Sequence, residues 1–284
     1  MSNTTTNTNN STKGGMNMNI KEYANQIAMQ ITGAFVEEVE KANGVILTAV
    51  SFPTGSTNCR ANFYINDLYN NGVDVEEAID RAREVISKER DRQIDVDFVS
   101  DFEQVRPRLR ARLYNKATRA EVYRSAAEFG FEDLIIIPFI EDINIGGGMG
   151  AIKVTDALVK TWGVSPAEVL RIAEDNARVF ATLGSLTDVL RGMGYDLPIL
   201  PDEPSMLIAT NDRKCNGAYA VIAKLDELKK RFPNGFTVLP SSVHEVLIVD
   251  INDPAAMDAM VQEVNATEVD ADEQLSNHAY TFAA

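Results

Sequence analysis

Leu134-Ile135-Ile136-Ile137-Pro138-Phe139, then Gly146-Gly147-Gly148-Met149-Gly150, then Ala151-Ile152-Lys153-Val154 is the stretch on which the fold turns. A continuous apolar run, broken by turn-forming glycines and resumed as a second apolar run, reads as a β-hairpin. Two more hairpins fit the same pattern. Val45–Phe52 and Arg60–Asn66 flank the turn-rich Pro53–Asn58, and Met206–Thr210 and Ala218–Ala223 flank Asn211–Gly217. Phe236–Leu239 and Val246–Val249 form a further strand pair around Pro240-Ser241-Ser242-Val243-His244-Glu245.

Helical patterns separate these hairpins. From Ile20, the residues Tyr23, Ile27, Ile31, Phe35 and Val39 recur every fourth position, which predicts a helix closed by Asn43-Gly44. Val75–Arg90 carries an apolar face of Val75, Ile79, Ala82, Val85 and Ile86. Ser165, Pro166 and Glu168 stand as cap, first helical residue and capping-box partner ahead of Val169, Ile172, Ala173, Ala177 and Phe180. Shorter helices are expected at Thr155–Trp162, Leu186–Met193 and Leu225–Phe232, a loop at Pro198–Pro204, and a helix opened by Asp253-Pro254 through Val264. Phe98–Asn115 supports two readings: Val105, Leu109 and Leu113 fit a helix, whereas Leu109, Ala111 and Leu113 alternating with Arg108, Arg110 and Arg112 fit a strand. Hairpins alternate with helices without strict β-α-β order. The fold class is therefore α+β, an antiparallel or mixed sheet built from hairpins and covered by helices.

The 284 residues carry a formal net charge of −15, with 45% hydrophobic and 24% charged residues, a composition of folded proteins. Residues 1–19, rich in Asn and Thr, are expected to be a disordered tail. An N-terminal α+β part then covers 20–130, a C-terminal α+β part 131–268, and an acidic extended tail 269–284. The N-terminal stretch lacks the apolar core of a secretory signal and the arginines of a mitochondrial one, so a cytoplasmic location is expected. No apolar run approaches the ~20 residues that span a bilayer. A sequence pI of ≈ 4.6 makes anionic nucleic acid and anionic membranes poor partners and favours a basic protein partner.

Candidate chemistry is sparse. Cys59 and Cys215 supply neither a disulfide framework nor a zinc quartet, and the two histidines, His244 and His278, lack metal-ligand spacing, so no metal is expected. The glycine cluster has no Gly-Lys-Ser/Thr behind it and reads as a hairpin turn, so no cofactor is expected either. His244 with Ser241, Ser242 or Cys215, and Glu245 or Asp250 behind it, has the residue types of a nucleophile, base and orienting acid. The reading these residues favour is a hydrogen-bonded bend between two strands, with the serines capping the turn and His244 bonded to backbone. Arg108, Arg110 and Arg112 on a strand would make a cationic face for phosphates, or would neutralise carboxylates of the same chain. Asn216 and Gly217 lie in the adjacent turn, within reach of the same segment.

Several strings taken together resemble a known family. They are Asn43-Gly44-Val45, Tyr64-Ile65-Asn66-Asp67, Asp101-Phe102, Arg112-Leu113-Tyr114-Asn115, Trp162-Gly163-Val164, Asn216-Gly217-Ala218, Val238–Val246, Val264–Val269 and Leu275-Ser276. In order and spacing they resemble a bacterial family catalogued as a domain of unknown function, number 5688, over about Ile20 to Tyr280. The resemblance implies a shared fold and carries no catalytic mechanism. The function expected from the residues is a non-enzymatic binding or accessory protein acting through protein contacts. The alternative is a hydrolase-like enzyme centred on Pro240–Glu245, with Ser241, Ser242, His244 and Glu245 as its catalytic candidates; phosphate binding by the arginines is a third reading.

Overall fold

The computed structural model describes residues 18–55, 59–89, 91, 94–144, 149–187, 206–250 and 253–283. The expected N-terminal tail, the Leu186–Met193 helix, the Pro198–Pro204 loop and the centre of the glycine turn fall wholly or largely outside them. Contacts divide the chain into two compact units, Met1–Glu40 with Ile46–Ile94, and Lys41–Val45 with Asp95–Ala284. Gly130, where a boundary was expected, lies inside the second unit.

In the first unit, Asn19 and Glu22 cap helix α1 (Ile20–Met29) reciprocally, each side chain bonded to the other's backbone N–H. Strands β1 (Phe35–Glu40), β2 (Ile46–Pro53) and β3 (Arg60–Tyr64) form an antiparallel sheet in that order. Helices α2 (Asn66–Asn70) and α3 (Val75–Glu89) follow. Tyr23 and Ile27 of α1 share one core with Val50 and Phe52 of β2 and with Ala78, Ala82 and Ile86 of α3. The helix expected to run from Ile20 to Asn43 is therefore two elements. Ile31 still packs in the core, but Gly33 turns the chain with φ +79°, and Phe35 and Val39 continue on a strand. A spacing of four satisfies a strand's period of two as well as a helix's 3.6, so the stripe alone did not separate them.

In the second unit, α4 (Phe102–Val105) and a 3-10 turn at Arg106–Arg108 lead into β4 (Leu109–Asn115). The alternating reading of this stretch holds: Leu109, Ala111 and Leu113 are buried and the intervening arginines lie on the other face. β4, β5 (Arg124–Ser125) and β7 (Met149–Lys153) all pair antiparallel with β6 (Leu134–Asn144), the isoleucine strand, so the expected hairpin is present. Helices α5 (Asp156–Trp162) and α6 (Pro166–Phe180) follow, and α6 packs against β4. Its first turn is capped by Ser165 Oγ, which accepts the N–H of Glu168 at 3.2 Å.

The third sheet contains β8 (Ala181–Ser185), β9 (Leu207–Asn211), β10 (Phe236–Leu239), β11 (Val246–Val249) and β12 (Tyr280–Phe282), ordered β12-β10-β11-β9-β8 and antiparallel throughout. Between β9 and β10 lie α7 (Ala220–Ala223) and α8 (Leu225–Arg231), and α9 (Pro254–Thr267), capped by Asp253, packs on β10. Two expectations change here. Ala218–Ala223 is a turn and short helix rather than the second strand of a hairpin, and β9 instead pairs with β8 and β11. Residues 218–222 are all buried, and periodicity does not separate a fully buried strand from a buried helical turn. The acidic segment 269–284, expected to be extended, ends in a sheet strand. Tyr280 packs edge-on against Phe131, and Phe282 stacks on Phe236 with centroids 4.9 Å apart. Among the described residues the three sheets are antiparallel, and the fold is α+β. Among the described residues, no helix is long and apolar enough to cross a membrane.

Candidate functional site

The period of β4 places Arg110 and Arg112 on one face, as the strand reading expects, Arg108 ends the preceding 3-10 turn rather than lying on the strand, and each of the three guanidiniums lies over an aromatic ring. Arg108 covers Phe98 at 4.3 Å, Arg110 covers Phe180 at 4.4 Å and Arg112 covers Phe139 at 4.3 Å. The face is not open: the side chains of Arg110 and Arg112 are 11% and 13% exposed. Opposite them, the register of β6 shifts between Ile140 and Ile143, and Asp142 adopts φ +62°. This irregularity brings the consecutive acids Glu141 and Asp142 to the arginines. Arg112 Nε donates to Glu141 Oε1 at 2.9 Å, and Arg108 Nη1 donates to the Asp142 carbonyl at 3.1 Å. Arg213, from the turn after β9, pairs with Asp142 and reaches Glu141 Oε2 at 3.7 Å. The hydrogen bond to Asp142 raises the pKa of Arg213.

Arg110 is held differently. Its Nη1 donates to the carbonyls of Pro107 at 2.7 Å and Leu109 at 2.8 Å, and among the described residues the nearest carboxylate oxygen, Asp142 Oδ2, is 3.9 Å from Nη2. Burial pushes its pKa down, and Asp142 and Glu141 offset this only in part.

The Pro240–Glu245 segment stands immediately behind this region and holds its other wall. His244 Nδ1 accepts the backbone N–H of Asn216 at 3.1 Å, and its carbonyl accepts the N–H of Gly217 and the hydroxyl of Thr210, both at 2.9 Å. Nε2 of the same ring faces Glu273 Oε1 at 3.3 Å, which ties the ring to the C-terminal segment. Gly217 occupies a position with no room for a side chain: a Cβ there would lie 2.4 Å from the Asn211 nitrogen and 2.5 Å from Thr210 Oγ1. Asn211 closes the turn, its Oδ1 accepting from the N–H groups of Arg213 and Cys215.

Ser241 and Ser242 belong to the architecture of the bend. Ser242 Oγ accepts the N–H of His244 at 3.0 Å, and the Ser241 carbonyl accepts from Leu275. The ring nitrogens of His244 point to Asn216 and Glu273, and neither is hydrogen-bonded to a serine hydroxyl. Glu245 is half-buried; burial raises its pKa, His244 opposes the shift and Glu273 adds to it.

Arg110, Phe180, Asn211, Asp212, Asn216 and Gly217 line a small cavity of ≈ 30 Å³, with Tyr219 beside them. That is room for about two water molecules. Three of the sequence candidates, Arg110, Asn216 and Gly217, thus meet at one place. His244 stands one hydrogen bond behind it, Arg108 and Arg112 flank it, and Ser241, Ser242 and Glu245 do not line it. Among the described residues, no group of three or more His, Cys, Asp or Glu side chains is placed to hold a metal.

Comparison of the whole chain with known families settles its kinship: the profile described as a family of unknown function (DUF5688) matches residues 14–284. The chain is a DUF5688 protein. Comparisons with curated proteins and with solved structures return no match. Within this DUF5688 chain, sequence reasoning placed Glu141 and Asp142 near a strand end but set them aside as ordinary solvated acids, and it did not single out Arg213. The two acids end an apolar strand run, where ordinary solvated acids also sit, and Arg213 lies in a turn whose function shows only in three dimensions.

A second cluster uses the other histidine. Asp133 accepts from Ser276 Oγ at 2.9 Å and from the hydroxyl of Tyr280, and faces His278 Nε2 at 3.4 Å. His278 Nδ1 lies 3.0 Å from the Ala279 carbonyl. The arrangement fastens the segment that leads into β12.

Proposed function

We propose that this DUF5688 chain is a cytoplasmic, non-enzymatic binding protein whose recognition element is the cavity between β4 and the Asn211–Gly217 turn. The observation that carries the proposal is the convergence of Arg110, Asn216 and Gly217 on one cavity with His244 bracing its wall. Each side of that wall is fixed by main-chain hydrogen bonds, the preorganisation a binding site needs. Contacts with a protein partner around the cavity fit the same reading. The hydrolase alternative draws no support from the geometry, because His244 Nδ1 accepts the Asn216 N–H, its Nε2 faces the Glu273 carboxylate, and Ser242 Oγ caps the bend.

The test combines two readouts on wild type and His244→Ala. Thermal scans against metabolites, nucleotides and short peptides are expected to find a ligand that stabilises wild type and acts weakly on the variant, whose Asn216–Gly217 wall is released. Hydrolysis of p-nitrophenyl acetate is expected to be equal for the two proteins. A ligand that stabilises both alike, or hydrolysis that depends on His244, overturns the proposal.

A further inference from the structure

The Arg110 guanidinium has one edge committed and one edge free. Nη1 is fixed by the Pro107 and Leu109 carbonyls, and the face of the group rests on the Phe180 ring. Among the described residues, Nε and Nη2 have no hydrogen-bond partner, since Asp142 Oδ2 at 3.9 Å from Nη2 is beyond hydrogen-bond reach. Asp142 is not free to move closer, because Arg213 holds its carboxylate and Arg108 holds its carbonyl. Nε and Nη2 form the side-on fork of a guanidinium, whose two parallel N–H groups match the two oxygens of a carboxylate or the edge of a phosphate. A fork without a protein acceptor, on a side chain only 11% exposed that lines a cavity, is placed to take its acceptor from a ligand.

Two further observations narrow the acceptor. The cavity of ≈ 30 Å³ admits a group about the size of two waters, which suits a planar carboxylate better than a tetrahedral phosphate. The charges also count toward a monoanion. Arg108, Arg110, Arg112 and Arg213 face Glu141, Asp142 and Asp212, four cations against three anions, so one negative charge completes the balance and a dianion overshoots it. We propose that the Arg110 fork binds the carboxylate of a monocarboxylic ligand, which Asn216 and Gly217 wall in from the other side. This rests on the cavity being the recognition element. A small free acid and the C-terminal carboxylate of a peptide share this chemistry.

The experiment is a titration of wild type, Arg110→Met and Arg110→Lys with sodium acetate, read as thermal shift against sodium chloride at equal ionic strength. N-acetylglycine, N-acetylglycinamide and sodium phosphate are run in parallel. Acetate is expected to raise the melting temperature of wild type beyond chloride, to have no such effect on Arg110→Met, and to bind Arg110→Lys at least tenfold more weakly, because lysine keeps the charge and loses the fork. N-acetylglycine binding tighter than acetate, with the amide inactive, identifies a peptide C-terminus; acetate binding with N-acetylglycine excluded identifies a small free acid. Should the variants not fold, the Nε–H resonance of Arg110 in wild type is expected to move on addition of acetate and not of chloride. Acetate and chloride acting alike, an unchanged acetate response in Arg110→Met, or phosphate alone acting through Arg110 overturns the carboxylate assignment. If acetate fails while another compound stabilises wild type through Arg110, only the carboxylate assignment falls. If no compound acts there, the cavity reading falls with it.

Discussion

Gly217 has backbone on two sides where a methyl group would go, 2.4 Å from the Asn211 nitrogen and 2.9 Å from the His244 carbonyl. Gly217→Ala must push the Asn211 turn away from the Pro240–Glu245 bend. We expect it to cost about 1–3 kcal/mol, the usual scale of overpacking, read from the urea midpoint; an unchanged midpoint would show that the two segments are not packed as described. Glu174 of α6 supplies a prediction in pH. Its carboxylate is buried, accepts from Arg124 at 3.1 Å and from the Tyr219 hydroxyl at 3.3 Å, and has a pKa raised first of all by desolvation. A carboxyl that holds its proton more tightly folded than unfolded makes stability fall as pH rises through the interval between its unfolded value, about 4.3, and its higher folded value. Glu174→Gln removes that loss, so the stability of the variant relative to wild type should increase from about pH 4 upward and then level off. A difference that stays constant or shrinks with pH would contradict the assignment. Legibility at this scale was uneven. Arg110, Asn216, Gly217 and His244 stood out because arginine alternation, a turn dipeptide and a scarce histidine are visible in one dimension. The role of Arg213 and of the Glu141–Asp142 pair was not, because it depends on a strand irregularity that places two consecutive acids among arginines from other elements.

The helix starts are the best-marked elements in this chain, and α6 is the clearest. Ser165 Oγ accepts the Glu168 N–H, and Ser165→Ala should cost about 0.5–2 kcal/mol in chemical denaturation, with no loss if the cap were formed by another group. The isoleucine hairpin and the β10–β11 pair were legible from apolar runs bounded by turn residues. The exceptions share a cause, an ambiguous local pattern resolved by distant partners. Phe35–Glu40 carries a fourfold spacing that serves helix and strand alike, and becomes a strand because β2 offers it an antiparallel edge. Ala218–Ala223 is apolar throughout and folds as a turn and short helix because β9 is already paired on both sides, by β8 and β11. Tyr280 and Phe282 looked like part of an acidic tail, yet their rings find Phe131 and Phe236, both far away in the chain.

Across the whole molecule, the acidic sequence hides a local excess of positive charge. A formal net charge of −15 argues against anionic partners in general, while the β4 face gathers four arginines around three acids. Net charge governs long-range attraction; the cavity governs what is held at contact, and the two need not agree in sign. The DUF5688 resemblance, legible in strings spread along the chain, was right about kinship and silent about this site. The most direct measurement is a crystal structure of the protein grown or soaked in sodium acetate. The account predicts a planar carboxylate in the cavity, with its two oxygens within hydrogen-bond distance of Arg110 Nε and Nη2 and Asn216–Gly217 in place behind it. An Arg110 fork closed onto Asp142, with no anion in the cavity, would contradict it.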